Sequence, residues 1–267
     1  MTKIVVAGAA GRMGSRIMRA VLDTDGLELA GAFERSDHPD LGRDAGLAAG
    51  LGEVGLTLAS GLEAVIEAGD VIIDFTTPGA TMNNLETAAG AGKAMIVGTT
   101  GFSAEQRQRI EALAGTTRLV VAPNMSVGVN LLFKIVGDVA RILGPGYDVE
   151  IVEAHHRFKK DAPSGTAVRL AEVVAEALDR RIGECGVYGR QGLVGERTAR
   201  EIGVLAVRAG DIVGEHTVMY GGIGERIEIT HRAHSRDTFT MGAVRAAAWV
   251  VGQKPGLYDM QDVLGLR

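Results

Sequence analysis

Short, uninterrupted apolar runs alternate with longer stretches of helical spacing along the first half of the chain. The run from Ile4 to Ala7 is continuous, which is typical of a strand buried on both faces of a parallel sheet. Behind it, Met13, Ile17 and Val21 fall on one face at helical spacing. The pattern predicts a strand followed directly by a helix that packs against it.

The same alternation continues to about residue 122. It predicts strands at Leu27 to Phe33, Val71 to Phe75, Ala94 to Val97 and Leu119 to Ala122, with helices that begin near Thr81 and span Ser103 to Ala114. Strict alternation of strand and helix indicates parallel pairing through right-handed crossovers. We therefore expect an α/β domain with a Rossmann-type, doubly wound parallel sheet. Residues 36 to 60, rich in Gly, Ala and Asp, predict a variable loop with at most one short strand.

The pattern changes after Asn130. Its predicted elements are a helix from Leu131 to Leu143, a strand from Tyr147 to Glu153, a helix from Ser164 to Leu178, alternating runs at Ile202 to Arg208, His216 to Tyr220 and Arg226 to His231, and a helix from Met241 to Val251. A glycine-rich hairpin joins the last two runs. This half predicts a second α+β domain with a mixed sheet. We place the first domain at residues 1–127, the second at 128–235, and a return to the first at 236–267.

Composition narrows the class of protein. With 46% hydrophobic and 23% charged residues the chain can bury a core, and its 38 glycines lack the period of collagen. The single Cys185 cannot build a disulfide framework and fits a reducing compartment. The apolar runs are strand-sized, and the first strand leaves no room for a secretory signal. A net charge of −5 offers no general basic face. We expect a cytoplasmic protein that binds neither membranes nor nucleic acid.

A glycine-rich turn follows the first strand and opens the first helix. It consists of Gly8, Ala9, Ala10, Gly11, Arg12, Met13 and Gly14. Glycines let the backbone approach a pyrophosphate, and the helix N-terminus favours the anion. The spacing G-x-x-G-x-x-G departs from the standard fingerprint, but Glu34 lies 20 residues past Gly14, where an acid binds the ribose hydroxyls of a dinucleotide. Arg35 could pair with a 2′-phosphate, so we predict a site for NADH or NADPH. The alternative is an ordinary tight turn with a surface Glu-Arg pair.

Two further loops follow later strands of the predicted parallel sheet. They are Gly98-Thr99-Thr100-Gly101 and Ala122-Pro123-Asn124-Met125. Ligands of open α/β sheets bind at the carboxyl ends of the strands. We therefore expect Gly98, Thr99, Thr100, Ala122, Pro123, Asn124 and Met125 to line the nicotinamide half of the cofactor site.

The most concentrated chemistry lies between Glu153 and Ala167, in the segment EAHHRFKKDAPSGTA. Two histidines and three cations crowd into six positions, which creates a positive potential suited to an anionic substrate. The helix start that follows offers free N–H groups as a carboxylate cradle, and histidine transfers protons near neutral pH. A solvated basic loop with a routine helix cap is the alternative. Adjacent histidines point to opposite sides of an extended chain, and Cys185 has no thiol partner, so we predict no metal site.

Together these motifs resemble the bacterial 4-hydroxy-tetrahydrodipicolinate (dihydrodipicolinate) reductases. The resemblance runs through VAGAAGRMG, DFT, GTTG, APNMSVGVN and EAHHRFKKDAPSGTA to the terminal GLYDMQDVLGL. It implies NAD(P)H-dependent reduction of a small dicarboxylate in the diaminopimelate route to lysine, and a homotetramer assembled through the sheet of the second domain.

The resemblance also assigns roles. His155 would donate or accept a proton, Lys159 would be the acid that protonates the substrate, and His156, Gly165 and Thr166 would contact the substrate. The glycine turn, Glu34, Arg35 and the two later loops would hold the cofactor. Lys160 stands at a position that the motif leaves free.

Two other functions stay open from the residues alone. Another NAD(P)-dependent dehydrogenase that acts on a small anionic substrate would share the first domain but lack the H-H-x-x-K and P-S-G-T motifs. A redox sensor that binds NAD(H) and signals by changing shape would need no proton donor.

Overall fold

The computed structural model describes residues 1 to 267 and contains two compact units, Met1–Val127 with Asp237–Arg267, and Gly128–Arg236. Its strands are β1 (Thr2–Ala7), β2 (Leu27–Glu34), β3 (Leu58–Ser60), β4 (Val71–Asp74), β5 (Ala94–Val97), β6 (Arg118–Val121), β7 (Asp148–His155), β8 (Gly186–Val187), β9 (Ile202–Arg208), β10 (Gly214–Gly221), β11 (Arg226–Ala233) and β12 (Gly256–Tyr258). Its α-helices are α1 (Gly14–Leu22), α2 (Ala45–Ala48), α3 (Pro78–Gly90), α4 (Ala104–Leu113), α5 (Val127–Leu143), α6 (Gly165–Ala177), α7 (Ile182–Cys185), α8 (Asp237–Val250) and α9 (Met260–Leu264). None of them is long and apolar enough to cross a membrane.

Seven strands of the first unit form one parallel sheet in the order β12-β6-β5-β4-β1-β2-β3. Alternate residues of β1 enter different cores: Ile4 and Val6 pack in one apolar cluster, and Val5 and Ala7 in another. A strand buried on both faces needs this continuous apolar run. The predicted Rossmann-type, doubly wound sheet is confirmed.

The end of the chain adds two elements that the hydrophobic pattern missed. Residues Gly256–Tyr258 pair in parallel with β6 and extend the sheet by one strand. Asp259 then caps α9 in a capping box with Asp262. A three-residue strand and a five-residue helix are too short to show a period, so only the cap residue carried a local signal.

Several predicted boundaries shift. Helix α3 begins at Pro78 rather than near Thr81, with proline in its first turn, where the missing N–H costs nothing. Helix α5 begins four residues before the predicted Leu131, because Val129 and Asn130 are buried and continue the face of the helix that packs in the core. The region 36 to 60 contains β3 and the short α2, which Asp44 caps by accepting the Leu47 N–H.

The second unit has a five-stranded mixed sheet in the order β11-β10-β7-β9-β8, as predicted. β10 pairs antiparallel with β7 and β11, whereas β9 pairs in parallel with β7 and β8. One face is apolar at most positions and packs with α5 and α6 in a single core that includes Val149, Ile151 and Val218. We call this the inner face. The same face carries Glu153 on β7 directly opposite His216 on β10, so it becomes polar towards the carboxyl end of β7.

Candidate active site

The glycine turn is closed so tightly that its backbone excludes side chains. Gly8 has a φ of +60°, and a Cβ at Gly14 would lie 2.0 Å from the Gly8 carbonyl oxygen. The Gly11 N–H donates to that same carbonyl at 3.0 Å. The N–H groups of Ala10, Arg12 and Met13 donate to no backbone acceptor within the turn. Unpaired amides at a helix N-terminus fit the pyrophosphate of a dinucleotide.

The acid predicted to bind the ribose lies where the sequence indicates, as the last residue of β2. Glu34 Oε2 accepts the Arg35 N–H at 3.3 Å, and the Arg35 guanidinium pairs with Asp37 at 2.8 Å. Both partners of that pair are about three-quarters exposed. An ion pair so exposed contributes at most about 1 kcal/mol to the stability of the fold. The guanidinium can therefore exchange Asp37 for a ligand phosphate.

A buried carboxylate joins the loops that follow β4 and β5. Asp74, the fully buried last residue of β4, accepts hydrogen bonds from the Thr76 N–H at 2.8 Å, the Thr81 hydroxyl at 3.1 Å and the Asn84 amide at 2.8 Å. Thr81 is also 2.8 Å from the hydroxyl of Thr99, one of the predicted cofactor residues. A Cβ at Gly98 would lie 2.2 Å from the Phe75 ring. These contacts hold the Gly98–Gly101 loop in a fixed position beside β4.

A cleft of about 470 Å³ opens at the carboxyl ends of the last strands of the sheet. Three predicted cofactor residues, Thr99, Thr100 and Pro123, line it, together with Tyr258 and Arg267 from the end of the chain. Of the other predicted residues here, Ala122 and Met125 are buried in the core, and Asn124 accepts the Ser126 N–H at 2.9 Å. The cleft therefore gathers residues from both predicted loops and from a terminal segment that the prediction did not include.

In the second unit a buried glutamate organises the charged segment. Glu153 is fully buried on β7 and binds both terminal nitrogens of Arg208, each at 2.8 Å. Its Oε2 is 2.6 Å from His155 Nδ1, and its Oε1 accepts the Ser164 N–H at 2.9 Å. One carboxylate thus connects the predicted catalytic histidine to the residue that caps α6.

The same contacts set the ionisation of the pair. Burial alone would raise the pKa of Glu153, but hydrogen bonds from Arg208, His155 and Ser164 outweigh burial and hold that pKa below its usual value. Burial lowers the pKa of His155, and the Glu153 carboxylate offsets only part of this effect. At neutral pH, Glu153 is therefore charged and His155 is neutral.

A second histidine supports the start of α6. The Ser164 hydroxyl accepts the Ala167 N–H at 3.2 Å, as an N-cap does, and lies 3.1 Å from His216 Nε2. The His216 ring meets the His155 ring edge to face, with centroids 5.2 Å apart. Burial, with a smaller effect from His155, lowers the pKa of His216 to about 3, so this ring stays neutral.

The remaining predicted residues surround this cluster. His155 is the last residue of β7, and His156 follows it with a buried Nδ1 that has no hydrogen-bond partner. The ammonium group of Lys159 lies 2.9 Å from an Asp161 carboxylate oxygen. Gly165 and Thr166 form the first turn of α6, whose amides precede the helical hydrogen-bond ladder. A Cβ at Gly165 would meet no atom within 4 Å, so space is open beside the helix start.

The sequence motifs assign no role to four residues that the structure places in these clusters: Asp74, Glu153, Arg208 and His216. For three of them the sequence does carry a signal, a polar residue at a position where the strand pattern predicts burial. Asp74 ends a buried apolar strand, and Glu153 and His216 occupy inward positions in otherwise apolar alternations, where a polar group needs partners. Arg208 ends an exposed stretch of β9 and resembles any surface cation. No group of three or more His, Cys, Asp or Glu side chains is arranged to hold a metal ion.

Two family models divide the chain between them. The model described as "Dihydrodipicolinate reductase, N-terminus" matches residues 2–125, and that described as "Dihydrodipicolinate reductase, C-terminus" matches residues 128–264. Relatives named 4-hydroxy-tetrahydrodipicolinate reductase match along their whole length. That of Citrifermentans bemidjiense is 59% identical and that of Geobacter sulfurreducens 58% identical, with 100% of both chains covered in each case.

Solved structures give the same picture at lower identity. A dipicolinate-bound dihydrodipicolinate reductase from Paenisporosarcina sp. TG-14 is 26% identical, with a TM-score of 0.78 over 98% of each chain. An amine dehydrogenase from Mycobacterium smegmatis is 16% identical, with a TM-score of 0.57 over 96% of this chain and 94% of its own. The second likeness concerns the fold alone.

Proposed function

The chain belongs to the dihydrodipicolinate reductase family, and from this we propose that it reduces 4-hydroxy-tetrahydrodipicolinate, by way of dihydrodipicolinate, to tetrahydrodipicolinate with NADH or NADPH. The reaction belongs to the diaminopimelate route to lysine. The observation that carries the proposal is the cluster around Glu153, which joins His155 to the capped start of α6 and to Arg208. The helix start in this cluster suits a carboxylate, because the positive end of a helix dipole favours an anion.

The first unit fits the proposed cofactor. The amides of the glycine turn would hold the pyrophosphate, and Glu34 would bind the ribose hydroxyls. The loops Gly98–Thr100 and Ala122–Met125 would hold the nicotinamide half. When bound, the reduced nicotinamide supplies the hydride.

The second unit fits a dianion. The first turn of α6 at Gly165 and Thr166 would bind one carboxylate, because the positive end of the helix dipole favours an anion. His156, whose buried Nδ1 lacks a partner, would supply a further polar contact. Fixing both carboxylates orients the ring for reaction.

Lys159 and His155 would take part in proton transfer during the reduction. Lys159 carries its proton next to Asp161, whose pKa the Lys159 hydrogen bond holds below its usual value, so Asp161 stays a charged partner. An ammonium group beside a bound dianion stabilises negative charge that develops on the ring and can then protonate the carbon.

The direct test is oxidation of NADH, followed at 340 nm, by the purified protein in the presence of 4-hydroxy-tetrahydrodipicolinate formed in situ. We expect turnover with this substrate and none with an uncharged cyclic imine. Turnover restricted to a different small anion would instead identify another dehydrogenase. Tight NADH binding without turnover on any of these compounds would favour the redox sensor.

Cofactor choice yields a prediction for Arg35. The Arg35→Ala change should raise KM for NADPH about 10- to 150-fold, because a charge-assisted hydrogen bond to the 2′-phosphate contributes about 1.5–3 kcal/mol. It should leave KM for NADH nearly constant. Arg43→Ala is the matched control, since Arg43 lies in the same region and also pairs with an aspartate, Asp40. Equal changes in both KM values would show that Arg35 does not contact the 2′-phosphate.

We further propose a homotetramer formed through the other face of the second sheet. Val152, Leu205 and Met219 point away from α5 and α6 and belong to none of the buried clusters. Apolar side chains that lie outside the core of a sheet are typically covered by another copy of the chain. The biosynthetic role and the single free cysteine also support a cytoplasmic location.

The Val152→Glu change should dissociate this assembly, because it places a charge in the middle of the face. Sedimentation velocity should detect four copies for the unmodified protein and smaller species for the variant. Ile142→Glu, at a residue that is 82% exposed on α5, should leave the assembly intact. A monomeric unmodified protein would contradict the proposal.

A further inference from the structure

The two ring nitrogens of His155 have different surroundings. Nδ1 is 2.6 Å from Glu153 Oε2, whereas Nε2 has no hydrogen-bond partner in the chain. A Cβ at Gly214, on the neighbouring strand β10, would lie 3.1 Å from Nε2. The lack of a side chain at Gly214 therefore leaves space beside this nitrogen. Gly214 has no positive φ, so close approach explains the glycine here and turn geometry does not.

Glu153 can act only as an acceptor. Both of its oxygens already receive N–H groups from Arg208, and Oε1 also receives the Ser164 N–H. A carboxylate held by a bidentate guanidinium is ionised and carries no proton to give. The proton in the 2.6 Å contact must therefore belong to His155 Nδ1.

We propose that Glu153 is a positioning residue that holds His155 as its Nδ1–H tautomer and leaves Nε2 as the nitrogen that exchanges protons at the active site. In the neutral ring Nε2 presents a lone pair and accepts a proton from solvent water, and the imidazolium formed keeps its Nδ1–H bond to Glu153. Lys159 is then the group that carries a donatable proton before the reaction begins. The inference rests on the proposed function only for the use of His155 in that reaction.

The charged groups around His155 change its pKa in opposite directions. Lys159 and Arg208 disfavour its protonation, Glu153 favours it, and the neutral His216 ring lies against it from β10. Removing the Glu153 charge deletes the one group that favours the imidazolium. The pKa of His155 must then fall, whichever way the histidine is used in catalysis.

The test is ¹⁵N NMR of the full-length protein with labelled histidine, with the His155 signals assigned through a His155→Gln variant. We expect the Nδ1–H tautomer above the pKa of His155. In Glu153→Gln we expect the Nε2–H tautomer to become populated and the titration to move down by roughly 1–2 pH units. Glu153→Asp, which keeps the charge, should titrate closer to the unmodified protein. If the glutamine variant fails to fold, the tautomer of His155 in the unmodified protein still tests the proposal.

Kinetics provide the second measurement. In Glu153→Gln, kcat should fall ten- to a hundredfold, the limb of its pH profile that reports His155 should move to lower pH, and KM for NADH should change less than twofold. Glu150→Gln is the matched control, because Glu150 lies on the same strand and also binds an arginine, Arg190, with both oxygens, but on the opposite face. It should keep the His155 tautomer and pH profile.

Two results would overturn the inference: an Nε2–H tautomer in the unmodified protein, or identical His155 titration in Glu153→Gln. The NMR readout does not depend on turnover. An Nδ1–H tautomer in a protein that does not reduce the dicarboxylate would therefore refute the proposed function and leave the role of Glu153 standing.

Discussion

Replacing Lys159 with methionine should lower kcat by about 10²- to 10⁴-fold, the usual contribution of a positioned general acid, while KM for NADH stays near that of the unmodified protein. Methionine keeps the length of the side chain but removes its charge and its proton. The change leaves Asp161 without its ammonium partner, 2.9 Å away. That pair is accessible to water on the Asp161 side, so stability should change little. Stopped-flow or steady-state oxidation of NADH measures the effect.

The neighbouring cation supplies the control. Lys160 is exposed, follows Lys159 directly and makes no ion pair in the chain. Lys160→Met removes the same charge from the same loop, so it should retain most of the turnover if Lys159 acts as an acid rather than as part of a general positive potential. Similar losses in both variants would favour the potential alone. Unchanged turnover in Lys159→Met and in His155→Ala would refute both assignments.

The hydrophobic pattern predicted the first sheet well because burial on both faces leaves a strong signal. Ile4 to Ala7 and Ala94 to Val97 are uninterrupted apolar runs, and both are central strands. The edge strand at Gly256–Tyr258 has one buried neighbour and three residues, so tertiary pairing with β6 determines it and local sequence does not.

The sequence predicted the segments of the site but not its connections. The string from Glu153 to Ala167 indicated charge and a helix start, both of which the structure has. Arg208 and His216 are 55 and 63 residues beyond Glu153, and they reach it only through the pairing of β9 and β10 with β7. Strand register is a long-range property, so no local motif could have shown that these side chains meet.

The glycine turn yields the other large effect. The spacing of its glycines, G-x-x-G-x-x-G, is not the standard one, but the last glycine is still required by close packing. A Cβ at Gly14 would lie 2.0 Å from the Gly8 carbonyl oxygen and 2.7 Å from Ala9 Cα. Both obstacles are backbone, so no side-chain rotation relieves the contact. The last glycine of the turn is thus required because α1 closely approaches the loop that precedes it. The position of the amides proposed to bind the pyrophosphate depends on that approach.

The Gly14→Ala change should therefore weaken NADH binding at least tenfold and lower the free energy of unfolding by about 1–3 kcal/mol, the usual cost of overpacking. Isothermal titration and urea unfolding measure the two effects. Gly90→Ala, at an exposed helical position with no atom within 4 Å of the added Cβ, should stabilise the protein by up to about 1 kcal/mol.

A second control separates binding from stability. A Cβ at Gly186, in the second unit, would lie 2.7 Å from the Ile182 carbonyl oxygen, so Gly186→Ala should also destabilise the fold. Because Gly186 is outside the turn, this variant should bind NADH with unchanged affinity below its unfolding transition. Equal losses of affinity in the Gly14 and Gly186 variants would mean that the turn contributes to stability alone, and the cofactor would then have to bind elsewhere in the first unit.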